Sequence, residues 1–278
     1  MRPEDLILVS VDDHVVEPPD VFEKHLPAKY RDIAPRVEHR ADGTDVWKFL
    51  DIHIPNVGLN AVTGRPPEEF GMDPTSFDEL RKGTYDVKER VLDMSANGLL
   101  GSLNFPSLPG FAGRLFGQLE DKDVALALNR AYNDWHILEW CGYAPERFIP
   151  LAVPPIWDPD AIAAEVHRVA KMGCHAITFP ENPVPLGLPS LHTDHWDPVW
   201  QACSDEGTVV CMHIGSSEHA CHTGSQWSVC RLGSPSGTGF SGKVIAWQPF
   251  FATRRTSSPI ACGSQIGGMA SGMKRSGA

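Results

Sequence analysis

Between residues 6 and 217 the chain alternates short apolar runs of strand character with longer stretches of helical periodicity. This alternation is typical of a parallel sheet covered by helices, in which each helix returns the chain to the start of the next strand. We therefore expect an α/β fold of the (β/α)8-barrel type, incomplete at about five βα units. The predicted strands are residues 6–11, 99–105, 148–153, 176–179 and 208–214, and the predicted helices are 87–96, 121–141, 158–172 and 197–206.

Two of the predicted helices have recognisable ends. Asp158 is suited to cap a helix that carries Pro159 in its first turn, and Gly173 is suited to end it. Asp197 and Gly207 repeat the same pattern around a shorter helix. Both helices lead within a few residues to an apolar run, as expected for βα units.

The region of residues 22–86 interrupts this regular pattern, with prolines at 27, 35, 55, 66, 67 and 74 and no clear period. Structureless connections of this length are uncommon inside compact domains and often carry function. We interpret the region as an insertion after the first strand and as a candidate cap over the barrel mouth.

The composition changes abruptly after residue 217. Residues 1–217 hold 18 Lys and Arg against 34 Asp and Glu, whereas residues 218–278 hold 6 against 1 and contain 10 of the 25 glycines. We predict that residues 218–278 form a Gly/Ser-rich, mostly disordered tail, with only residues 243–251 apolar enough to collapse. Two accounts remain open: a frameshift that replaced the end of the barrel, or a natural tail on a truncated barrel.

Potential metal ligands stand where two predicted strands end. Side chains alternate between the faces of a strand, so Asp12 and His14 share one face and Asp13 lies on the other. His213 ends the fifth predicted strand, and active sites of such barrels lie at the carboxyl ends of strands. Carboxylate and imidazole ligands suit Zn²⁺ or Mn²⁺. The alternative is a solvated turn or helix cap, in a chain with 12 histidines.

Further side chains follow the second and fourth predicted strands, on the side where the metal would lie. We predict that four of them shape a substrate pocket: Asn104, Phe105, Glu181 and Asn182. The competing interpretation is core packing for the phenylalanine and turn formation for the three polar residues, which stand near prolines.

The overall charge and the apolar pattern exclude several partner classes. A net charge of −11 argues against nucleic acid and anionic membranes, which leaves a small-molecule substrate as the expected partner. No run approaches the ~20 apolar residues of a membrane span, and the start of the chain lacks a secretory pattern. Seven cysteines without regular spacing fit free thiols, so we expect a cytoplasmic protein. A homo-oligomer is compatible with this sequence.

Four segments of the sequence resemble the amidohydrolase-related family, and more narrowly its aminocarboxymuconate-semialdehyde decarboxylase-like branch. The resemblance extends from about residue 6 to residue 217. The segments are residues 9–22 (VSVDDHVVEPPDVF), 129–135 (NRAYNDW), 147–152 (RFIPLA) and 209–216 (VVCMHIGS).

The resemblance implies a TIM-barrel enzyme with one divalent metal, bound by two residues of the first strand, a His ending the fifth and an Asp ending the eighth. Asp12, His14 and His213 match the first three ligands. The acid–base His that follows the sixth strand in the family, and the last Asp ligand, have no counterpart that the sequence identifies. The catalytic acid–base group is therefore unknown.

The implied function is that of a metal-dependent hydrolase or a non-oxidative decarboxylase acting on a small aromatic or unsaturated carboxylic substrate. A hydrolase would direct a water at a carbonyl carbon, whereas a decarboxylase would protonate a carbon before CO₂ leaves. The alternative is a truncated or frameshifted, catalytically inactive barrel fragment, whose open sheet edges would favour aggregation.

Overall fold

The computed structural model describes residues 7–58, 61–70, 74–213, 215–217 and 244–246. Strands and helices alternate along the chain as the apolar pattern predicts. The strands are β1 (Leu8–His14), β2 (Arg36–His39), β3 (Asp45–Phe49), β4 (Ile52–Ile54), β5 (Leu99–Phe105), β6 (Phe148–Ile149), β7 (Ala176–Pro180), β8 (Val209–His213) and β9 (Val244–Ala246). The α-helices are α1 (Val87–Ala96), α2 (Arg114–Gly117), α3 (Lys122–Trp135), α4 (Pro159–Ala170) and α5 (Asp197–Asp205).

Six of the strands are parallel and follow one another in chain order, as in a (β/α) barrel. They form two sheets, β1-β5-β6 and β7-β8-β9. An isolated parallel bridge between Ala152 and Ile177 joins the two sheets. The predicted strand 148–153 is therefore shorter than expected, reduced to β6 and this one bridge. The parallel architecture confirms the predicted fold class.

β1 is longer at its carboxyl end than the sequence suggested. The strand was expected over residues 6–11, but it continues to His14. The pairing with β5 has an irregularity between Ser10 and Asp13, after which Asp13 pairs with Asn104 and His14 with Phe105. The charged run after Val11 is thus part of the strand rather than a turn.

Three of the four predicted helix ends hold, those at Asp158, Gly173 and Gly207, and the cap at Asp197 is wrong. Asp158 accepts hydrogen bonds from the backbone N–H groups of Asp160 and Ala161, as a helix cap does. Asp197 was expected to cap α5 and does not, because a 3-10 turn over Asp194–Trp196 runs straight into the helix. Asp197 already has helical dihedrals (φ −54°, ψ −41°) and begins the helix itself.

The predicted helix 121–141 consists of three consecutive segments. Asp121 caps α3 through the N–H groups of Asp123 and Val124. A π-helical turn, His136–Trp140, and a 3-10 turn, Cys141–Tyr143, continue it. Other 3-10 turns, all of three to six residues, occur at Ala28–Ile33, Pro67–Glu69, Phe77–Glu79, Lys82–Thr84 and Val184–Leu186.

The region between β1 and α1 contains a three-stranded antiparallel sheet in the order β2-β3-β4. The sequence indicated no regular period here, because the strands are only 3 to 5 residues long and separated by turns. Trp47 and Phe49 of β3 are buried in the same hydrophobic cluster as Phe116 and Leu128. The insertion is therefore part of the main core, and its role as a cap remains a prediction.

Three residues after position 217 are described, and they form β9, which pairs in parallel with β8. This strand falls within residues 243–251, the one segment of the tail that was expected to collapse. The rest of the predicted tail lies outside the described residues. Among the described residues, no helix has the length and apolarity that crossing a membrane requires.

Candidate metal centre

The three predicted ligands come together at the carboxyl ends of two strands. Asp12 and His14 belong to β1, and His213 is the last residue of β8. One ligand atom of each residue lies within 4.8 Å of the other two, a spacing that could hold a metal ion. The alternation of side chains along β1 explains why residues two apart both face the same point.

Unsatisfied polar atoms in this cluster fit a divalent cation. Asp12 Oδ1 and His14 Nδ1 are buried and have no hydrogen-bond partner among the described residues. Asp12 Oδ1 lies 3.3 Å from His213 Nε2, close enough for an ion pair but not aligned as a hydrogen bond. Burial without a partner costs about 1–3 kcal/mol per group. One carboxylate and two imidazoles are a donor set that Zn²⁺ and Mn²⁺ accept, so the residues fit such an ion.

The surroundings of His14 favour its neutral form. Burial of the ring, followed by the nearby His213, lowers the pKa of His14 to about 4. A neutral imidazole keeps a lone pair on one ring nitrogen, which is the form that binds metals. At neutral pH the cluster therefore presents His14 as a ligand that needs no deprotonation.

Two phenylalanine rings enclose the imidazoles. The Phe105 ring centroid lies 4.9 Å from that of His213, and the Phe111 centroid lies 4.3 Å from His213 and 5.0 Å from His14. Phe105 is buried and Phe111 is partly exposed. The sequence pointed to Phe105 but not to Phe111, which lies in the loop after β5 without any periodic pattern to identify it.

Comparison with known families identifies the chain. The sequence profile described as Amidohydrolase matches residues 52–260, which is most of the chain. The chain belongs to the amidohydrolase family. The family is metal-dependent, in agreement with the Asp12, His14 and His213 cluster. The match continues beyond residue 217, so the account of a frameshift at that point is not favoured.

Two solved structures resemble the fold of this chain. An amidohydrolase from Mycobacterium avium subsp. paratuberculosis K-10 is 21% identical, with a TM-score of 0.57, and the match covers 77% of this chain and 60% of that one. The apo IDCase of Metarhizium anisopliae is 15% identical, with a TM-score of 0.50, and the match covers 84% of this chain and 56% of that one. A comparison with curated protein sequences found no match. The chain thus spans about 60% of the length of the Mycobacterium amidohydrolase.

A third solved structure is a dihydroxybenzoic acid decarboxylase from Polaromonas sp. JS666, which carries bound manganese and an inhibitor. It is 16% identical, with a TM-score of 0.45, and the match covers 74% of this chain and 49% of that one.

The remaining acidic residue of β1, Asp13, lies apart from the cluster of Asp12, His14 and His213. Asp13 Oδ2 accepts a hydrogen bond from Ser102 Oγ on the neighbouring strand β5. Asn104 Nδ2 donates to the same hydroxyl over 3.1 Å, and Trp140 Nε1 donates to Asn104 Oδ1 over 3.0 Å. Asn104, predicted to contact substrate, is thus buried with both polar atoms engaged inside the protein. These contacts support the packing of β5, and the role of Asn104 in shaping a substrate pocket remains a prediction.

The two candidates after β7 differ in their contacts. Glu181 accepts hydrogen bonds from Gly215 N (3.0 Å), Ser217 Oγ (2.6 Å) and Ser216 Oγ, all in the loop that follows His213. Asn182 Oδ1 accepts from Val184 N over 3.2 Å, which is the turn geometry expected as the alternative to substrate contact. Glu181 therefore holds the loop next to His213, a predicted metal ligand. The roles of Glu181 and Asn182 toward a substrate remain predictions.

Glu17 is a charged residue near the site that the sequence did not single out. It is 1% exposed and accepts hydrogen bonds from Ser107 N (2.9 Å), Leu108 N (2.7 Å) and Tyr132 Oη (3.0 Å). Burial raises the pKa of Glu17 to about 7, against the effect of these hydrogen bonds, which stabilise the charged form. No local pattern marks it, because its partners lie 90 to 115 residues away.

Arg90 of α1 fixes the end of β1. Its Nη2 donates to the carbonyl oxygen of His14 over 2.5 Å, and its Nε donates to the carbonyl oxygen of Gly83 over 2.6 Å. Burial lowers the pKa of Arg90, while Asp13 and Asp93 act in the opposite direction. The guanidinium thus holds the backbone of a metal ligand without occupying the metal site.

Proposed function

We propose that this chain is a metal-dependent amidohydrolase-family enzyme that hydrolyses or non-oxidatively decarboxylates a small aromatic or unsaturated carboxylic substrate. The observation that carries the proposal is the convergence of Asp12, His14 and His213 on one point, with two buried ligand atoms that have no hydrogen-bond partner in the described part of the chain. Because the chain spans only part of the length of its relatives, the activity is put forward as a proposal.

The residues of the cluster have distinct parts in this proposal. Asp12 supplies a negative charge, and His14 and His213 supply neutral nitrogen donors, for one Zn²⁺ or Mn²⁺ ion. When bound, such an ion polarises a carbonyl or carboxylate and lowers the pKa of a water toward neutrality. Arg90 and Glu181 hold the backbone next to the ligands through the contacts described above.

The aromatic lining supports the substrate class. Phe105 and Phe111 place two apolar rings beside a cluster that attracts anions once a cation is bound. A flat unsaturated body with an attached carboxylate matches both parts of this environment. The resemblance to the decarboxylase-like branch points to the same class of substrate. A cytoplasmic location belongs to the same proposal.

The two reactions are separated by their products. Purified protein loaded with Zn²⁺ or Mn²⁺ would be incubated with aromatic and unsaturated carboxylic acids and with their esters and amides. Decarboxylation breaks the bond between carboxylate and carbon, places a proton on that carbon and releases CO₂. Hydrolysis transfers oxygen from ¹⁸O-labelled water to the product. Turnover of non-acidic substrates alone would contradict the proposed substrate class.

A pair of adjacent aspartates provides a matched test of the metal site. We expect Asp12→Asn to weaken Zn²⁺ binding by more than about 100-fold, because loss of a ligand exceeds the 10- to 100-fold effect of outer-shell changes. Asp13→Asn removes a carboxylate that is hydrogen-bonded to Ser102, and this variant should still bind one metal ion per chain. Metal content after dialysis and titration calorimetry measure both. Equal losses in the two variants would contradict the assigned site.

A further inference from the structure

Glu17 is a buried carboxylate that lies close in sequence to the proposed metal ligands and is not one of them. It follows β1, three positions after His14, and its side chain is 1% exposed. A carboxylate removed from water to this extent is costly unless its oxygens are hydrogen-bonded. Glu17 accepts three such bonds, from two backbone N–H groups and from the hydroxyl of Tyr132.

The two backbone donors to Glu17 open the loop that follows β5. Ser107 N and Leu108 N lie directly after the strand, 2.9 and 2.7 Å from the carboxylate oxygens. The Ser107 hydroxyl donates back to the carbonyl oxygen of Val15 over 2.7 Å. The segments that leave β1 and β5 are thus bound to each other immediately beyond the metal cluster.

The same loop carries Phe111 to the metal ligands. Its ring lies 4.3 Å from His213 and 5.0 Å from His14, between centroids, and its carbonyl oxygen accepts from Thr178 Oγ over 2.5 Å. Gly113 ends the loop with φ +77°, where an added Cβ would lie 2.6 Å from Val153 Cγ1. The path of the loop is therefore fixed by Glu17 at its start and by β7 and a close backbone approach at its end.

We propose that Glu17 is a positioning residue of the metal centre: it anchors the loop after β5 so that Phe111 holds the imidazole rings of His14 and His213 in place for the ion. The inference rests on the proposed metal site. Groups that orient metal ligands without touching the metal contribute about 10- to 100-fold to metal affinity. Glu17 acts here through packing of Phe111 rather than through a hydrogen bond to a ligand.

A double-mutant cycle tests this route. Zn²⁺ affinity, by competition with a chelator, and the visible spectrum of the Co²⁺ form would be measured for the parent protein, Glu17→Gln, Phe111→Leu and the double variant. We expect each single variant to bind Zn²⁺ about 10- to 100-fold more weakly. The Co²⁺ spectrum of Glu17→Gln should shift in the same direction as that of Phe111→Leu. When Phe111→Leu is already present, Glu17→Gln should weaken Zn²⁺ binding further by less than about twofold.

Asp45 offers a matched control. It is another buried carboxylate that accepts from a backbone N–H, that of Phe77 over 2.8 Å, but in the antiparallel sheet. Asp45→Asn should leave Zn²⁺ affinity and the Co²⁺ spectrum unchanged. If Glu17→Gln does not melt cooperatively, Tyr132→Phe takes its place, since it removes one of three donors and retains the carboxylate.

The outcomes separate this inference from the proposed function. Two results would overturn the inference and leave the metal site intact, provided that the parent binds Zn²⁺. In the first, Glu17→Gln binds Zn²⁺ as tightly as the parent; in the second, the losses of affinity in the double variant are fully additive. An equal loss in Asp45→Asn overturns it as well, since the effect would then be one of general stability. Failure of the parent to bind any Zn²⁺ or Co²⁺ overturns both the metal site and the inference.

Discussion

Two glutamates perform the same task at the two strand pairs that supply the metal ligands, but in different surroundings. Glu17 follows β1 and binds the loop after β5, whereas Glu181 follows β7 and binds the loop after β8. In each case a carboxylate beyond one parallel strand accepts hydrogen bonds from the loop beyond the next strand.

The two glutamates differ in burial and in the kind of donor they bind. Glu17 is almost fully buried and accepts from two backbone N–H groups, while Glu181 is partly exposed and accepts mainly from serine hydroxyls. A backbone N–H that loses its acceptor in the interior stays unpaired, whereas a buried serine hydroxyl can rotate to another acceptor, as Ser216 Oγ does with the carbonyl oxygen of His213 over 2.7 Å. The same pattern of contacts is therefore expected to contribute more to the free energy of unfolding at Glu17 than at Glu181.

The largest effect is expected for removal of the buried carboxylate. Glu17→Ala should lower the free energy of unfolding by about 4 kcal/mol, because two buried N–H groups and a buried hydroxyl lose their acceptor at about 1–3 kcal/mol each. Urea denaturation at pH 7 measures the loss. A loss no larger than that of Glu181→Ala would remove the distinction between the two glutamates.

Glu17 should also make the free energy of unfolding depend on pH. The pKa of Glu17 is raised from 4.5 to about 7, so the unfolded chain releases this proton at lower pH than the folded protein does. The stabilisation from the retained proton is complete below pH 4.5 and is lost as the pH rises through 7, by about 3 kcal/mol at 1.36 kcal/mol per pKa unit.

The measurement that isolates this effect is the difference in unfolding free energy between the parent and Glu17→Gln, which should narrow between pH 4.5 and 7. Burial lowers the pKa values of His14 and His136 to about 4, so their contributions to stability rise with pH. Both variants share these contributions, which therefore cancel in the difference. A constant difference across this range would contradict the buried position of Glu17.

The smallest effect is expected at Glu181, which is only partly buried. Glu181→Gln should lower the free energy of unfolding by about 1 kcal/mol or less, since the amide oxygen still accepts and the Ser216 hydroxyl has a second acceptor in the carbonyl oxygen of His213. The same urea experiment applies, with Asn182→Ala as the neighbouring control. A cost close to that of Glu17→Ala would show that the loop after β8 is as well shielded as the loop after β5.

Features encoded within a few residues could be predicted from the sequence. β5 and α1 begin and end at the predicted residues, because each is a continuous run with clear breaks at both ends. Asp158 was identified as a cap because its partners are the next two or three residues. The convergence of Asp12, His14 and His213 could be predicted from the alternation of side chains along β1 and from the rule that barrel sites lie at the carboxyl ends of strands.

Features that depend on distant partners could not be predicted in this way. Glu17 resembles any acidic residue after a strand until Ser107, 90 positions later, is brought against it. Phe111 lies in an irregular loop, and only the approach of β8 makes it a neighbour of His213. The error at Asp197 has a different cause, since a preceding 3-10 turn replaced the extended residue that a side-chain cap requires.

The placement of the metal ligands on β1 and β8 also sets the order of events during synthesis. Asp12 and His14 leave the ribosome early, whereas His213 is made only after all the parallel strands from β1 to β7. At about 5–20 residues per second, the first two ligands wait on the order of ten seconds or more for the third. The three-residue site therefore cannot assist the folding of the early βα units, because it is complete only after β8 has taken its place beside the earlier strands.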